Sequence, residues 1–250
     1  MSTGCQGCKT QPEDSFDFTM AFQPILDAGQ EEIYAHEALV RGVNGEPAGK
    51  ILGKVTEKNR YWFDQQCRVK AIELAAQLGL GAKQRLSINF LPNAVYEPKA
   101  CIRMTVETAR KVGLPLDRII FEVTEGERVV EHDRLVAIIR AYKEFGLLTA
   151  IDDFGAGYSG LNLLADFQPD IIKLDMALTR NIDSDRVRRS IVAGILTVCR
   201  ELDIMVIAEG IETPEEYATL REMGVRHFQG YLFARPVFRD FARQIAFPEV

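Results

Sequence analysis

Two adjacent carboxylates, Asp152 and Asp153, end the apolar run 147–151, and glycines follow at 155, 157 and 160. Consecutive side chains of a strand point to opposite faces, so both acids cannot lie within a buried sheet. One or both sit at its mouth. Neighbouring carboxylates repel unless a proton or a cation lies between them. The glycines let the backbone bend around whatever the pair holds, and the stretch reads as a divalent-metal loop.

Other strand-like segments finish in the same way. Asn89, Glu122, Asp152, Lys173 and Glu209 each close an apolar run, and Glu37 adds a carboxylate early in the chain. Ile120 shares a face with Glu122, Ala150 with Asp152, Ile171 with Lys173, and Ile207 with Glu209. Helix capping explains an acid or two at such places, but not a lysine at one end and an asparagine at another. Carboxylates and an amide carbonyl, without a well-placed Cys or His, favour Mg²⁺ or Mn²⁺ over Zn²⁺. His36 adjoins Glu37 but points to the opposite strand face, so it reads as a packing residue.

Glu37, Glu122, Asp152, Asp153 and Glu209 exceed what a single Mg²⁺ takes from protein, so two metals are the natural count. Such a pair activates water and stabilises both oxygens of an in-line displacement at phosphorus. Lys173 would stay charged among the acids and orient that water or neutralise charge on phosphate. Arg41 supplies a fork suited to phosphate oxygens. Phosphodiester hydrolysis leads on residue types alone, with enolisation by a lysine base and Mg²⁺ as the alternative.

The elements that must position these groups alternate. Segments 18–26 and 33–40 read as an antiparallel hairpin turned at 27–30. Strands follow at 85–90, 118–123, 147–151, 170–174, 204–208 and 225–228. Helices are expected at 59–80, 99–112, 127–145, near Leu161, and at 185–202, 214–223 and 239–245, with Thr213 as an N-cap. Repeated strand–helix units permit a doubly wound sheet or a (β/α)8-type barrel. Polar groups at one end of several strands favour the barrel, whose interior is apolar and whose sites form at strand C-termini. Residues 1–17 read as a polar, flexible leader and 18–250 as one domain.

Composition sets outer limits. At 250 residues, 47% hydrophobic and 26% charged, the chain is ordinary for a globular protein. No apolar run approaches the ~20 residues that span a bilayer, and no secretory signal opens the chain; a cytoplasmic protein without membrane contact is expected. A net charge of −6 argues against general affinity for DNA. The five cysteines make no disulfide framework. Cys5 and Cys8 have the spacing of half a zinc site with nothing to complete it, so a reduced tail is the simpler reading.

Glu37-Ala38-Leu39-Val40-Arg41 resembles the motif that names the EAL-domain cyclic di-GMP phosphodiesterases. Gln23-Pro24-Ile25, Ser87-Ile88-Asn89, Glu122-Val123-Thr124-Glu125, Asp152-Asp153-Phe154-Gly155, Lys173-Leu174-Asp175, Ala208-Glu209-Gly210-Ile211-Glu212 and Gln229-Gly230-Tyr231 match further family motifs in order. The resemblance implies a modified (β/α)8 barrel with one antiparallel strand, and hydrolysis of cyclic di-GMP to linear pGpG with two Mg²⁺ or Mn²⁺ ions. It implies Glu37, Asn89, Glu122 and Asp152 on the first metal and Asp152 with Asp153 on the second. Glu209 would be a ligand or general base, and Lys173 would position the water. Glu125 would steady the loop that opens at Asp152. Gln23, Leu39, Arg41 and Gln229 would line the substrate groove. Ca²⁺ should inhibit. A homodimer near the 152–160 loop follows by analogy; the regulatory input is expected from an unidentified regulatory protein, transcription, ligand supply or the Cys5/Cys8 tail. The chain departs from the family pattern at 42–59, Gly126 and Gly160, which bears on the base-contacting wall rather than on metal ligands. Family members that lose such acids become cyclic di-GMP receptors or protein-interaction modules; here the acids and the lysine are present.

Overall fold

The computed structural model describes residues 12–95, 97–124, 132–157, 160–243, 245 and 247–248. Cys5, Cys8, Glu125 and Gly126 lie outside them. The chain opens with an antiparallel hairpin, β1 (Thr19–Asp27) and β2 (Glu32–Arg41). Asp27 shapes its turn, the carboxylate accepting the N–H groups of Gly29 and Gln30. There follow α1 (Ala48–Leu52), α2 (Arg60–Gln77), β3 (Arg85–Asn89), α3 (Pro98–Cys101), α4 (Arg103–Val112), β4 (Ile119–Thr124) and α5 (His132–Glu144). The second half runs β5 (Leu148–Phe154), α6 (Gly160–Asp166), β6 (Ile171–Leu174), α7 (Met176–Thr179), α8 (Arg186–Glu201), β7 (Met205–Ala208), α9 (Pro214–Glu222), β8 (His227–Phe228) and β9 (Val237–Phe238).

Strands β2 to β8 are parallel neighbours in chain order, and β1 closes the ring by pairing antiparallel to both β8 and β2. β9 adds to β1 on the outside. This is the expected modified (β/α)8 barrel with one antiparallel strand. Its inner layer is Ile25, Ala35, Ile120, Ala150, Ile171 and Ile207, each at most 1% exposed. Ala35, Ile120, Ala150, Ile171 and Ile207 stand two residues before Glu37, Glu122, Asp152, Lys173 and Glu209. Period-two alternation therefore seats the polar ring directly above an apolar floor. The larger core lies between the outer strand faces and the helices.

Several boundaries differ from expectation. The helix expected at 239–245 is absent among its described residues. Arg239 has a left-handed φ of +54°, the Asp240 carboxylate takes the Phe241 N–H, and Phe241 packs on Phe22 and His36. Contacts with the outer face of β1 and β2 outweigh helical spacing there. The helix expected at 99–112 breaks at Ile102 into α3 and α4. In the expected 185–202 helix Val187, Ile191, Val198 and Leu202 fall at helical spacing yet are exposed, whereas Val192 and Cys199 are buried. Spacing identifies the helix but not its core face. At the other end of the chain Phe16 packs against Phe18, Trp62 and Phe63, and Asp14 bonds Thr56 and Asn59.

Candidate metal centre and active site

β5 solves the geometric problem posed by adjacent acids. It continues past Ile151 to Phe154, but its pairing with β6 slips between Ile151 and Phe154. Asp153 sits at that irregularity with φ +54°, a conformation uncommon for a residue with a side chain. The bulge brings Asp152 and Asp153 to one mouth instead of opposite faces, and both line the same cleft.

Carboxylate oxygens of Glu37, Glu122 and Asp152 lie within 4.8 Å of one another, and so do those of Asp152, Asp153 and Glu209. The two triads share Asp152. Lys173, 1% exposed, stands among them, its Nζ 2.7 Å from Glu209, 3.0 Å from Glu122 and Asp152, and 3.6 Å from Glu37. Asn89 donates its amide N–H to Glu37 at 2.9 Å, which leaves its carbonyl oxygen as a donor to a cation. Gln229 donates to the second Glu37 oxygen at 2.7 Å. Ser87 donates its hydroxyl to Glu122 in a short bond. Two compact all-oxygen sets joined by one carboxylate fit a pair of Mg²⁺ or Mn²⁺ ions.

The electrostatics agree with that fit. Burial pushes Glu122 up to about 8, Glu37 and Asp152 adding to the shift while Lys173 opposes it. Burial, then Asp152 and Asp175, raises Asp153 to about 6. Burial followed by the neighbouring acids also holds Glu209 well above the carboxylate range. Burial alone would lower Lys173, but the four acids more than reverse this and keep it charged. One ammonium cannot balance the surrounding carboxylates, so without a cation protons make up the difference. The sign of a pH effect follows. Metal binding requires the deprotonated acids, so Mn²⁺ affinity is expected to rise from pH 6 to pH 8, with proton release measurable by calorimetry in buffers of different ionisation enthalpy. These acids ionise at lower pH when unfolded, so the metal-free protein should lose stability as pH rises through the same window. A flat affinity across it would contradict the shifts.

Two clefts meet over the acids. One, about 340 Å³, is polar and lined by Gln23, Leu39, Lys173, Glu209, Gln229 and Tyr231 among others. The other, about 390 Å³, is more apolar, with Leu52, Phe63, Cys67 and Phe90 in its wall. Glu37, Leu39 and Asp152 belong to both. Arg41 lines neither; it shares the Glu37 face of β2 by alternation and donates to the Val40 carbonyl at 2.7 Å. His36 is 1% exposed and stacks on Phe241 at 4.1 Å, and burial lowers its pKa to about 4. The sequence brings in Ser87, Asp175 and Glu212 only as members of the motifs that begin at Ser87, Lys173 and Ala208, and it does not single out Met176 or Asp64. Met176 stands three residues after Lys173, which is the available signal; Asp64, on an ordinary helical repeat, gives none.

Acidic triads and a lysine at the C-terminal mouth of such a barrel offer an all-oxygen ligand set that could hold divalent cations. The chain belongs to the EAL domain family, whose model matches residues 12–236. It is 35% identical over 229 residues to the blue light- and temperature-regulated antirepressor BluF of Escherichia coli K12, covering 92% of this chain and 56% of that one. It is 37% identical over 242 residues to the probable cyclic di-GMP phosphodiesterase PdeD of the same organism, covering 92% and 44%. The chain thus spans about half the length of these curated relatives. A standalone versatile EAL protein from Vibrio cholerae O395, solved with cyclic di-GMP bound, superposes with a TM-score of 0.89 at 53% identity, covering 92% of this chain and 96% of that one. A manganese and cyclic di-GMP complex of Klebsiella pneumoniae BlrP1 gives 0.84 at 38% identity, covering 94% and 58%.

Proposed function

We propose that the chain hydrolyses cyclic di-GMP to linear pGpG with two Mg²⁺ or Mn²⁺ ions. The observation that carries this reading is the pair of carboxylate triads sharing Asp152 around Lys173. Glu37, Asn89, Glu122 and Asp152 would hold one ion, and Asp152, Asp153 and Glu209 the other. Bound there, the ions would lower the pKa of a water and stabilise the oxygens of an in-line displacement. The residues supply the rest. Lys173, fixed by four acids, meets negative charge as it grows on the phosphate. Glu209, 2.7 Å from Lys173 and within reach of Asp152 and Asp153, would act as a ligand or as the general base. Gln229 keeps Glu37 oriented, and Gln23, Leu39 and Arg41 bind the substrate. A ligand with two flat bases joined through two phosphates suits two clefts that meet at the acids. Glu125, with its proposed loop-steadying role, lies outside the described residues.

Incubating the protein with cyclic di-GMP and Mg²⁺, with products separated by chromatography, tests the proposal. Appearance of pGpG supports it. Tight binding without product would favour a nucleotide receptor, a reading kept open by the antirepressor name of one relative. No binding would leave a protein-interaction module. Ca²⁺ is expected to permit substrate binding but to cut turnover at least about tenfold, because its longer, looser bonds would hold the reacting groups less well in line. Equal rates with Ca²⁺ and Mg²⁺ would contradict a two-Mg²⁺ mechanism.

No helix among the described residues is long and apolar enough to cross a membrane. A cytoplasmic protein that does not bind DNA is proposed on that fact and on the net charge of −6. A homodimer near the 152–160 loop is proposed as well, supported by Leu161, 66% exposed beside that loop. Sedimentation would show whether the chain pairs, and a regulatory protein partner would remain a separate question for capture experiments.

A further inference from the structure

Arg68 lies on the far side of the barrel wall from the acids and is completely buried. A guanidinium without water must find its compensation in protein. Its Nη2 is 2.6 Å from the Asp64 carboxylate one helical turn earlier, and its Nη1 donates to the Tyr142 hydroxyl at 3.2 Å. Its flat face rests against three rings, 4.9 Å from the centroid of Phe121, 5.6 Å from Phe90 and 5.7 Å from Tyr142. The other oxygen of Asp64 accepts the N–H of Leu91 at 2.9 Å.

The position of these contacts in the sequence is what gives them meaning. Phe90 follows Asn89, and Phe121 precedes Glu122. Strand alternation sends each ring outward where its neighbour points inward to the metal centre. The N–H of Phe90 also donates to the Glu122 carbonyl at 3.0 Å, tying the ends of β3 and β4 together. Asp64 then holds Leu91, two residues beyond Asn89. One buried ion pair on α2 therefore grips the backs of both strand ends that present Asn89 and Glu122.

We infer that Arg68, with Asp64, is a positioning residue for the metal centre, acting through Asn89 and Glu122 from behind the sheet. The inference rests on the proposed metal centre. The planar fork of a guanidinium meets a carboxylate, a phenol and ring faces at once, which a lysine ammonium cannot do. Outer groups that orient metal ligands change affinity by about 10- to 100-fold when lost.

The test is binding of Mn²⁺ alone, followed by the electron spin resonance signal of the free ion. Wild type is compared with Arg68→Met, Arg68→Lys and a packing control, Ile138→Ala, whose side chain is buried on α5 one turn before Tyr142. Arg68→Met is expected to bind Mn²⁺ at least about tenfold more weakly, and Arg68→Lys to fall between it and wild type. Ile138→Ala should melt earlier yet bind as wild type does. Should Arg68→Met fail to fold, Arg68→Lys retains the charge and carries the test. Unchanged affinity in folded Arg68 variants would overturn the inference while leaving the metal centre intact. An equal loss in Ile138→Ala would overturn it too, by reducing Arg68 to general stability. Absence of Mn²⁺ binding in wild type would instead remove the metal-centre reading, and this inference with it.

Discussion

Asp152→Asn is expected to slow hydrolysis of cyclic di-GMP by about a thousandfold or more, a barrier change of about 4 kcal/mol. Asp152 is the one residue common to both oxygen triads, and it also pairs with Lys173 at 3.0 Å. An amide of nearly the same shape keeps a single carbonyl oxygen and loses the negative charge that two adjacent cations require. The damage should therefore fall on metal occupancy and turnover together. It should spare the fold, because removing one of several crowded carboxylates relieves repulsion in the metal-free protein. Steady-state rates and Mn²⁺ titration on the same preparation check this. A variant that melts no earlier, binds Mn²⁺ normally and turns over at more than a tenth of the wild-type rate would refute the bridging role.

Lys173→Met is expected to abolish turnover and, unlike the first variant, to destabilise the metal-free protein. The ammonium is 1% exposed and within 3.6 Å of four carboxylates. Removing one partner of a buried ion pair costs about 3–5 kcal/mol because the other charge is left uncompensated. For a domain of this size that is a fall in Tm on the order of 10 °C. Proton uptake by the acids offsets part of it, so the loss should be larger at pH 8 than at pH 6. Mn²⁺ should restore much of the Tm in Lys173→Met, and more than it adds to wild type, since cations replace the missing positive charge. Activity should not return, because no group then meets the charge developing on phosphate. A metal-free Tm equal to wild type at pH 8 would mean that the acids carry little charge in the absence of metal.

The barrel and its ring of polar groups were legible because both follow from a period of two. Apolar residues at 35, 120, 150, 171 and 207 fix the interior, and the residues two further on must then stand above it. The adjacency of Asp152 and Asp153 was legible as a puzzle but not as a solution. Only the bulge and the left-handed turn of Asp153 show how both acids reach one mouth, and a backbone irregularity of that kind leaves no mark on composition or spacing. The absence of a helix among the described residues after Phe238 has a different cause. Its apolar residues serve β1 and His36 across the chain, and such distant contacts override local propensity. The outward stripe on α8 shows the same limit, since periodicity marks a helix without saying which side is covered. Arg68 was the least legible of all. It sits in an ordinary helical repeat, and its significance comes wholly from the rings of Phe90, Phe121 and Tyr142 that the fold gathers around it.

The central claim is that this chain builds a two-metal centre bridged by Asp152 for phosphodiester hydrolysis. The most direct measurement is the number of Mn²⁺ ions bound per chain in the presence of cyclic di-GMP, taken alongside pGpG formation, for wild type and Asp152→Asn. The account predicts two ions and product for wild type, and fewer ions without product for the variant. Two ions retained by the Asp152→Asn variant, or pGpG formed by wild type with no divalent ion bound, would contradict it.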